Sequence, residues 1–207
     1  VWGQDVYQGR FVIFMGDQEI GHEDFTISPE EITTTGLLSV GGQTIELSAE
    51  LTAETYSLKY MGITLSGTFA DGKFNTAAGP VKLAYDLTEP YLVLDNNVFA
   101  HYQQVINLAQ SGVDTAAVVT PVLVLMSQPP VLEGQILRGE NATYTVNGEL
   151  IDVAEYGIIF AGNLYVRVLA HDGRLVMVDI PAQGVKAVNA DYMGMALNEN
   201  MEALGGV

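Results

Sequence analysis

Few residues in this chain have side chains able to do chemistry, and their types narrow the field before any fold is considered. Cysteine is absent, which excludes thiol catalysis, disulfide frameworks and cysteine-ligated zinc. Three histidines remain, at positions 22, 101 and 171. Alternation along a strand sets His22 on one face with Asp24 and Thr26, opposite Glu23 and Phe25. An imidazole and a carboxylate two residues apart could share a cation or orient each other, but two ligands do not make a metal site, and no metal is assigned. His101 falls off the apolar stripe of a helical segment, so a surface position is expected for it. His171 precedes Asp172 and Gly173, whose types a tight turn already explains.

Nucleophiles are no better supported. None of the seven serines sits in a G-x-S-x-G elbow, and Ser66 in the run TLSG, which comes nearest, belongs to a strand leading into a hairpin. Neither a P-loop nor a G-x-G-x-x-G turn opening a helix is present, so nucleotide chemistry has no phosphate cradle. With 25 Asp and Glu, some pair of carboxylates will stand at glycosidase spacing in almost any fold, which empties that signal. The lone Trp2 is at the start of the chain and the ten tyrosines are spread through strand-like runs, as core positions are. Asn141-Ala142-Thr143 fits a glycosylation acceptor, which matters only in a eukaryotic secretory setting. No catalytic residue and no cofactor is assigned. The chain reads as non-enzymatic, with a hydrolase using acidic residues as the remaining alternative.

The elements that would position any site are mostly strands. Val, Ile and Thr number 23, 12 and 15 and the aromatics 18, about a third of the 207 residues, of types that suit a pleated, half-buried surface. Five short runs, MGDQ (15–18), VGGQ (40–43), ADGK (70–73), VNGE (146–149) and HDGR (171–174), put Gly beside Asp, Asn or Gly between strand-like stretches. They predict tight hairpins and a mostly antiparallel meander. In 44–54, Ile45, Leu47, Ala49, Leu51 and Ala53 alternate with Thr44, Glu46, Ser48, Glu50, Thr52 and Glu54, so one face packs inward and the other meets water. About ten to twelve strands are expected, too many for one flat sheet. The predicted fold is mainly β: a strongly curved antiparallel sheet, an open half-barrel or barrel, with one covering helix.

That helix is predicted over 97–110, where Val98, Tyr102, Val105, Ile106 and Ala109 recur at steps of three and four after Asp95 and Asn96, either of them a good N-cap. The run Ala116 to Met126, interrupted by Thr120 and Pro121, reads as a buried strand pair or a bulged strand. A short C-terminal helix is expected around 195–204. One domain spanning 1–207 is favoured, with SQPP at 127–130 as the point where two halves could meet.

Charge removes further classes. Eight Lys and Arg against 25 Asp and Glu leave a formal charge of -17, which argues against nucleic acid and against anionic lipid headgroups. Residues 1–58 carry ten acids and one base, Arg10, which is either a solvated surface or an acidic docking face for a basic protein partner. The longest apolar run is far below the roughly 20 residues of a spanning helix, so no integral membrane segment is expected. The opening VWGQDVYQGR has no basic region followed by an apolar stretch, so a signal peptide, if there was one, is taken as already removed.

Two segments carry a resemblance. YQGRFVIFMGDQEIGHEDFTI (7–27) is similar to the first hairpin of a group of bacterial secreted or periplasmic domains of unknown function, and DGRLVMVDIPAQGVKAV (172–188) to their final strands. The arrangement resembles the periplasmic lipoprotein-carrier half-barrel, an open curved sheet with helical lids over an apolar concavity. The resemblance implies a periplasmic or secreted, non-enzymatic protein that binds a lipid, an acyl chain or another hydrophobic small molecule. Independently, a curved sheet with one helix across it leaves a concave apolar face where ligands bind. On that reading Val98, Tyr102, Val105 and Ile106 are the expected ligand-binding residues. The competing expectation is that the helix and 116–126 simply fill the concavity as core. The other functional alternative is an accessory or interaction domain of a larger secreted protein, docking through its acidic face.

Overall fold

The computed structural model describes residues 6–78, 81–95 and 97–195. The expected tail helix around 195–204 lies outside them except for Met195, as does Trp2. Eight strands come first: β1 (Tyr7–Met15), β2 (Gln18–Ile27), β3 (Glu31–Val40), β4 (Gln43–Thr52), β5 (Thr55–Tyr60), β6 (Ile63–Ala70), β7 (Lys73–Ala78) and β8 (Val81–Asp86). A short β9 (Tyr91–Val93) leads to the helical segment, a 3₁₀ turn at Ala100–Tyr102 running into α1 (Gln103–Gln110). The chain then makes β10 (Thr115–Val119), a 3₁₀ stretch at Pro121–Met126, β11 (Val131–Arg138), β12 (Ala142–Val146), β13 (Glu149–Phe160), β14 (Leu164–His171), β15 (Arg174–Ile180) and β16 (Val185–Asn189).

All sixteen strands belong to one sheet of order 8-7-6-5-4-3-2-1-16-15-14-13-11-10-9, with β12 paired to β13 off this path. Every pairing is antiparallel except that of β9 with β10. The sheet is mainly β as expected, curved and unclosed, and it has more strands than the ten to twelve predicted. β9, only three residues long, is too short to carry an alternation of its own. Ala116–Met126 is one strand, β10, followed by a 3₁₀ stretch, because Pro121 has no N–H to donate to a ladder and opens the helical turn instead. Residues 127–130 pass from that stretch into β11 of the same sheet.

The five sequence turns are all turns, with Gly16, Gly41, Gly42, Gly72, Gly148 and Gly173 at positive φ. In β4, Leu47, Ala49 and Leu51 are buried and Glu46 and Glu50 exposed, as the alternation requires. The strand stops at Thr52, so Ala53 and Glu54 make a bend rather than its last residues. Strand direction alternates across the sheet, so its connections fall at two ends. Turns 16–17, 41–42, 61–62 and 161–163 and the segments 120–130 and 181–184 lie at what we call the Met15 end. Connections 28–30, 53–54, 71–72, 87–90, 111–114, 139–141 and 172–173 lie at the opposite, Glu30 end.

The inner face curls around the helical segment and forms one apolar core with it. A second, smaller core lies on the outer face, where Val146 and Val153 of the β12–β13 hairpin and Met195 cover Leu169, Val176, Met177 and Val188. Burial on both faces explains the unbroken apolar run Leu175–Val178, which a sheet wet on one side would interrupt with polar residues.

Candidate functional site

The helical segment starts with buried groups that the sequence leaves unremarked. Glu23 of β2, which shares its strand face with Phe25, is completely buried. Its Oε2 accepts the Phe99 N–H at 2.7 Å, and its Oε1 accepts the Ala100 N–H at 3.0 Å and the Thr34 hydroxyl at 2.7 Å. A carboxylate from the sheet thus takes the orphan amides of the first turn, the place where negative charge is favoured. The expected cap, Asp95, does something else: its carboxylate accepts the Tyr56 hydroxyl at 2.6 Å and the Val122 N–H at 3.2 Å, tying the helix approach to β5 and to 121–126. Asn96 lies outside the described residues.

At the other end Arg138 of β11 donates from Nε and Nη2 to the Ala109 carbonyl at 2.9 and 2.8 Å. A cation at the helix C-terminus complements the carboxylate at its start. Between them, Gln103 Oε1 accepts the Tyr7 hydroxyl and the Leu175 N–H, while its Nε2 donates to Asn107 Oδ1 and the Gly173 carbonyl. Gln104 makes two bonds with the backbone of Val93, one in each direction. The segment is therefore pinned by β1, β2, β9, β11 and β15, and every residue from Val98 to Ile106 is buried.

That enclosure overturns the surface position expected for His101. Its ring is fully buried beside Tyr56, and neither nitrogen has a hydrogen-bond partner among the described residues. The stripe argument fails because the sheet wraps the helix start and leaves it no wet side. Burial pushes the His101 pKa down to about 3 and the Glu23 carboxyl up to about 7, so the imidazole is neutral across the physiological range.

The four residues expected to meet a ligand fare differently. Val98, Val105 and Ile106 are completely enclosed in the main core, so at these positions the concavity is filled. Tyr102 lines a cleft of about 280 Å³ at the Met15 end. Its other walls include Leu94, Phe99, Leu123, Leu132, Phe160 and Leu164, and exposed Met126, Ala161 and Gln183 stand at its mouth. Three polar side chains join this largely apolar lining away from the mouth: Asp95, half-buried Asn97, and Thr120, whose buried Oγ1 has no partner among the described residues. Desolvation, followed by the charge of Asp95, pushes the Tyr102 phenol well above its ordinary pKa. A second hollow, about 170 Å³, lies near the opposite end of the helix between Leu51–Ala53, Tyr91 and Leu108.

The other candidates stay on the periphery. Asp24 pairs with Arg10 at 2.6 and 2.8 Å, away from any metal role with half-buried His22. His171 Nδ1 lies 2.7 Å from the Asp152 carbonyl at the end of β14. Among the described residues no three His, Asp or Glu gather as metal ligands, and no helix is long and apolar enough to cross a membrane. Glu23 could have been found from the strand alternation, which sets it on the same face as Phe25. Thr120 carried no such signal. No family model, curated protein or solved structure matches the chain.

Proposed function

We propose that this protein is a non-enzymatic binder of a small apolar molecule or single acyl chain, held in the Met15-end cleft rather than under the middle of the helix. The observation that carries the reading is the cleft itself: apolar walls, a few converging polar groups, and an exposed mouth at Met126. At about 280 Å³ it sits just under the range of about 300–1,000 Å³ for ligand pockets, which suits one short chain or ring and not a two-chain lipid. The Thr120 hydroxyl, buried and without a partner among the described residues, favours a ligand that carries one polar group, and the Asp95 carboxylate disfavours an anionic one. An envelope location, periplasmic or secreted, and the likeness to lipoprotein-carrier half-barrels belong to the same proposal.

The test is titration with a fluorescent apolar probe, alongside native mass spectrometry of the purified protein. Wild-type protein should bind the probe saturably, and Leu123→Trp, which fills the cleft from a half-buried position, should weaken binding at least tenfold with its unfolding midpoint nearly unchanged. Absence of saturable binding together with absence of a co-purifying ligand would overturn the reading. A second reading, an accessory domain docking a basic partner, is favoured by one observation: acids occupy the connections of the Glu30 end, among them Glu30, Glu54, Asp71, Glu89, Asp114 and Asp172. It predicts binding that weakens steeply as salt is raised.

A further inference from the structure

We propose that the Met15 end of the sheet is a docking surface for an electrically neutral, zwitterionic lipid bilayer. The two ends of this sheet are built from the same turns with different chemistry. At the Glu30 end, tight turns place Asp71 and Asp172 at φ 53° and 50°, each followed by Gly, and the outlying β12–β13 hairpin does the same with Asn147 at φ 51°. These are the residue types that left-handed turn positions favour. At the Met15 end the corresponding positions hold Gly41 at φ 60°, Met61 at φ 50° and Ala161 at φ 50°, each again followed by Gly.

Met61 is the telling residue. A long side chain with a Cβ in the left-handed region is disfavoured by about 1–2 kcal/mol, and neither Asn nor Asp was used to relieve it. The side chain gains little burial from the fold in return, being 57% exposed. A position that breaks its local rule without packing is one where a site outside the fold is expected.

Met61 does not stand alone. Six of the nine large apolar residues exposed among the described ones lie at this end: Met15, Val40, Met61, Ile63, Leu125 and Met126. Among the described residues its turns and connections expose one acid, Asp17, and the strand ends beside them set exposed Glu19 against exposed Lys59 and Lys82, on a chain of net charge -17. Acids instead occupy the connections at the other end, so a net-neutral apolar surface meets one end without repulsion while an anionic one is opposed by the molecule as a whole. The cleft opens on the same rim, with Met126 belonging to both. Docking would therefore place its mouth against the hydrocarbon from which an apolar ligand comes. That use of the surface rests on the proposed ligand binding; the docking itself does not.

Flotation with phosphatidylcholine vesicles tests it. Wild-type protein should float with them and bind more weakly when 30% of the lipid is phosphatidylglycerol. A triple variant, Met61→Asn, Ile63→Thr and Met126→Gln, should lose at least tenfold in vesicle binding. Its unfolding midpoint should hold or rise, because Asn suits the turn and Thr suits the strand. Leu150→Gln, on the β12–β13 hairpin away from this rim, should float as wild type does. The proposal is overturned if wild-type protein does not float with phosphatidylcholine, if it prefers the anionic vesicles, or if Leu150→Gln loses as much as the triple variant. It is also overturned if the triple variant abolishes self-association rather than flotation, which would make the occupant a second copy. Probe binding in the absence of vesicles separates the two readings: flotation without probe binding sinks the cleft alone, and probe binding without flotation sinks the docking alone.

Discussion

Glu23 shows how one buried carboxylate couples the start of a helix to pH. It accepts three hydrogen bonds, yet desolvation outweighs them and holds its pKa at about 7, above the ordinary 4.5. The folded state then retains a proton that the unfolded chain has released between those two values. Stability from this group is therefore full below about pH 4.5 and is lost as pH rises through 7, by up to about 3 kcal/mol at the conversion of 1.36 kcal/mol per unit. Urea titrations from pH 5 to 8 should show this decline for wild-type protein, and Glu23→Gln should flatten it. Glu23→Ala removes the acceptor for two amides and a hydroxyl and should cost about 3 kcal/mol or more, at the rate of about 1–3 kcal/mol for each buried group left unsatisfied. An unchanged pH slope in Glu23→Gln would show that other groups set it.

At the scale of elements, the antiparallel hairpins were legible because each is a local statement: a turn pair at its centre and a period of two on either side. β4 is the clearest example, with Leu47, Ala49 and Leu51 inside and Glu46 and Glu50 outside. The helix was legible in place but not in surroundings. Its apolar stripe predicted one covered face, whereas a sheet that curls round it buries Gln103, Gln104 and His101 as well, and gives Gln103 partners on β1 and β15 and Gln104 a partner on β9. Those partners are set by curvature, which no local window encodes. A trace of it was present all the same at Gly21. Between Ile13 and Phe14 of β1 the register with β2 shifts by one residue, leaving Ile20 as the extra residue beside Gly21. A Cβ at Gly21 would stand 2.0 Å from the Leu37 carbonyl oxygen, so only glycine lets β2 and β3 approach there. Gly21→Ala should destabilise the protein by about 3 kcal/mol or more in urea unfolding, given about 1–3 kcal/mol for ordinary overpacking. Gly41→Ala at an open turn, with no atom within 4 Å of the added Cβ, should cost about 1 kcal/mol, the penalty of its positive φ. Equal losses would remove the steric argument.

For the molecule as a whole, the net charge acquires a direction once the turns are sorted by end. The acids described among residues 6–58 do not form one face: Glu23 is inside, Glu46 and Glu50 lie along the outer face, Asp17 and Glu19 sit at the Met15 end, and Glu30 and Glu54 at the other. The row that does form runs along the Glu30 end through Glu30, Glu54 and Asp71, one acid on each successive hairpin connection. Strands about 4.8 Å apart put neighbouring tips about 10 Å apart, inside the Debye length of about 30 Å at 0.01 M salt and beyond that of about 8 Å at 0.15 M. Each neighbouring pair then repels by about 0.4 kcal/mol in water at low salt and by much less at physiological salt. Raising salt from 0.01 to 0.15 M should therefore lift the unfolding midpoint by about 1–3 °C, at about 2–4 °C per kcal/mol for a chain of this size. Glu54→Gln with Asp71→Asn should start from a higher midpoint at low salt and gain less from added salt, since together they leave Glu30 with no charged neighbour in the row. The same two substitutions should leave flotation on phosphatidylcholine vesicles untouched, because they lie at the far end from Met61. Loss of flotation in that variant would mean that the two ends do not act separately, and the division of the molecule into an acidic end and a neutral one would have no functional content.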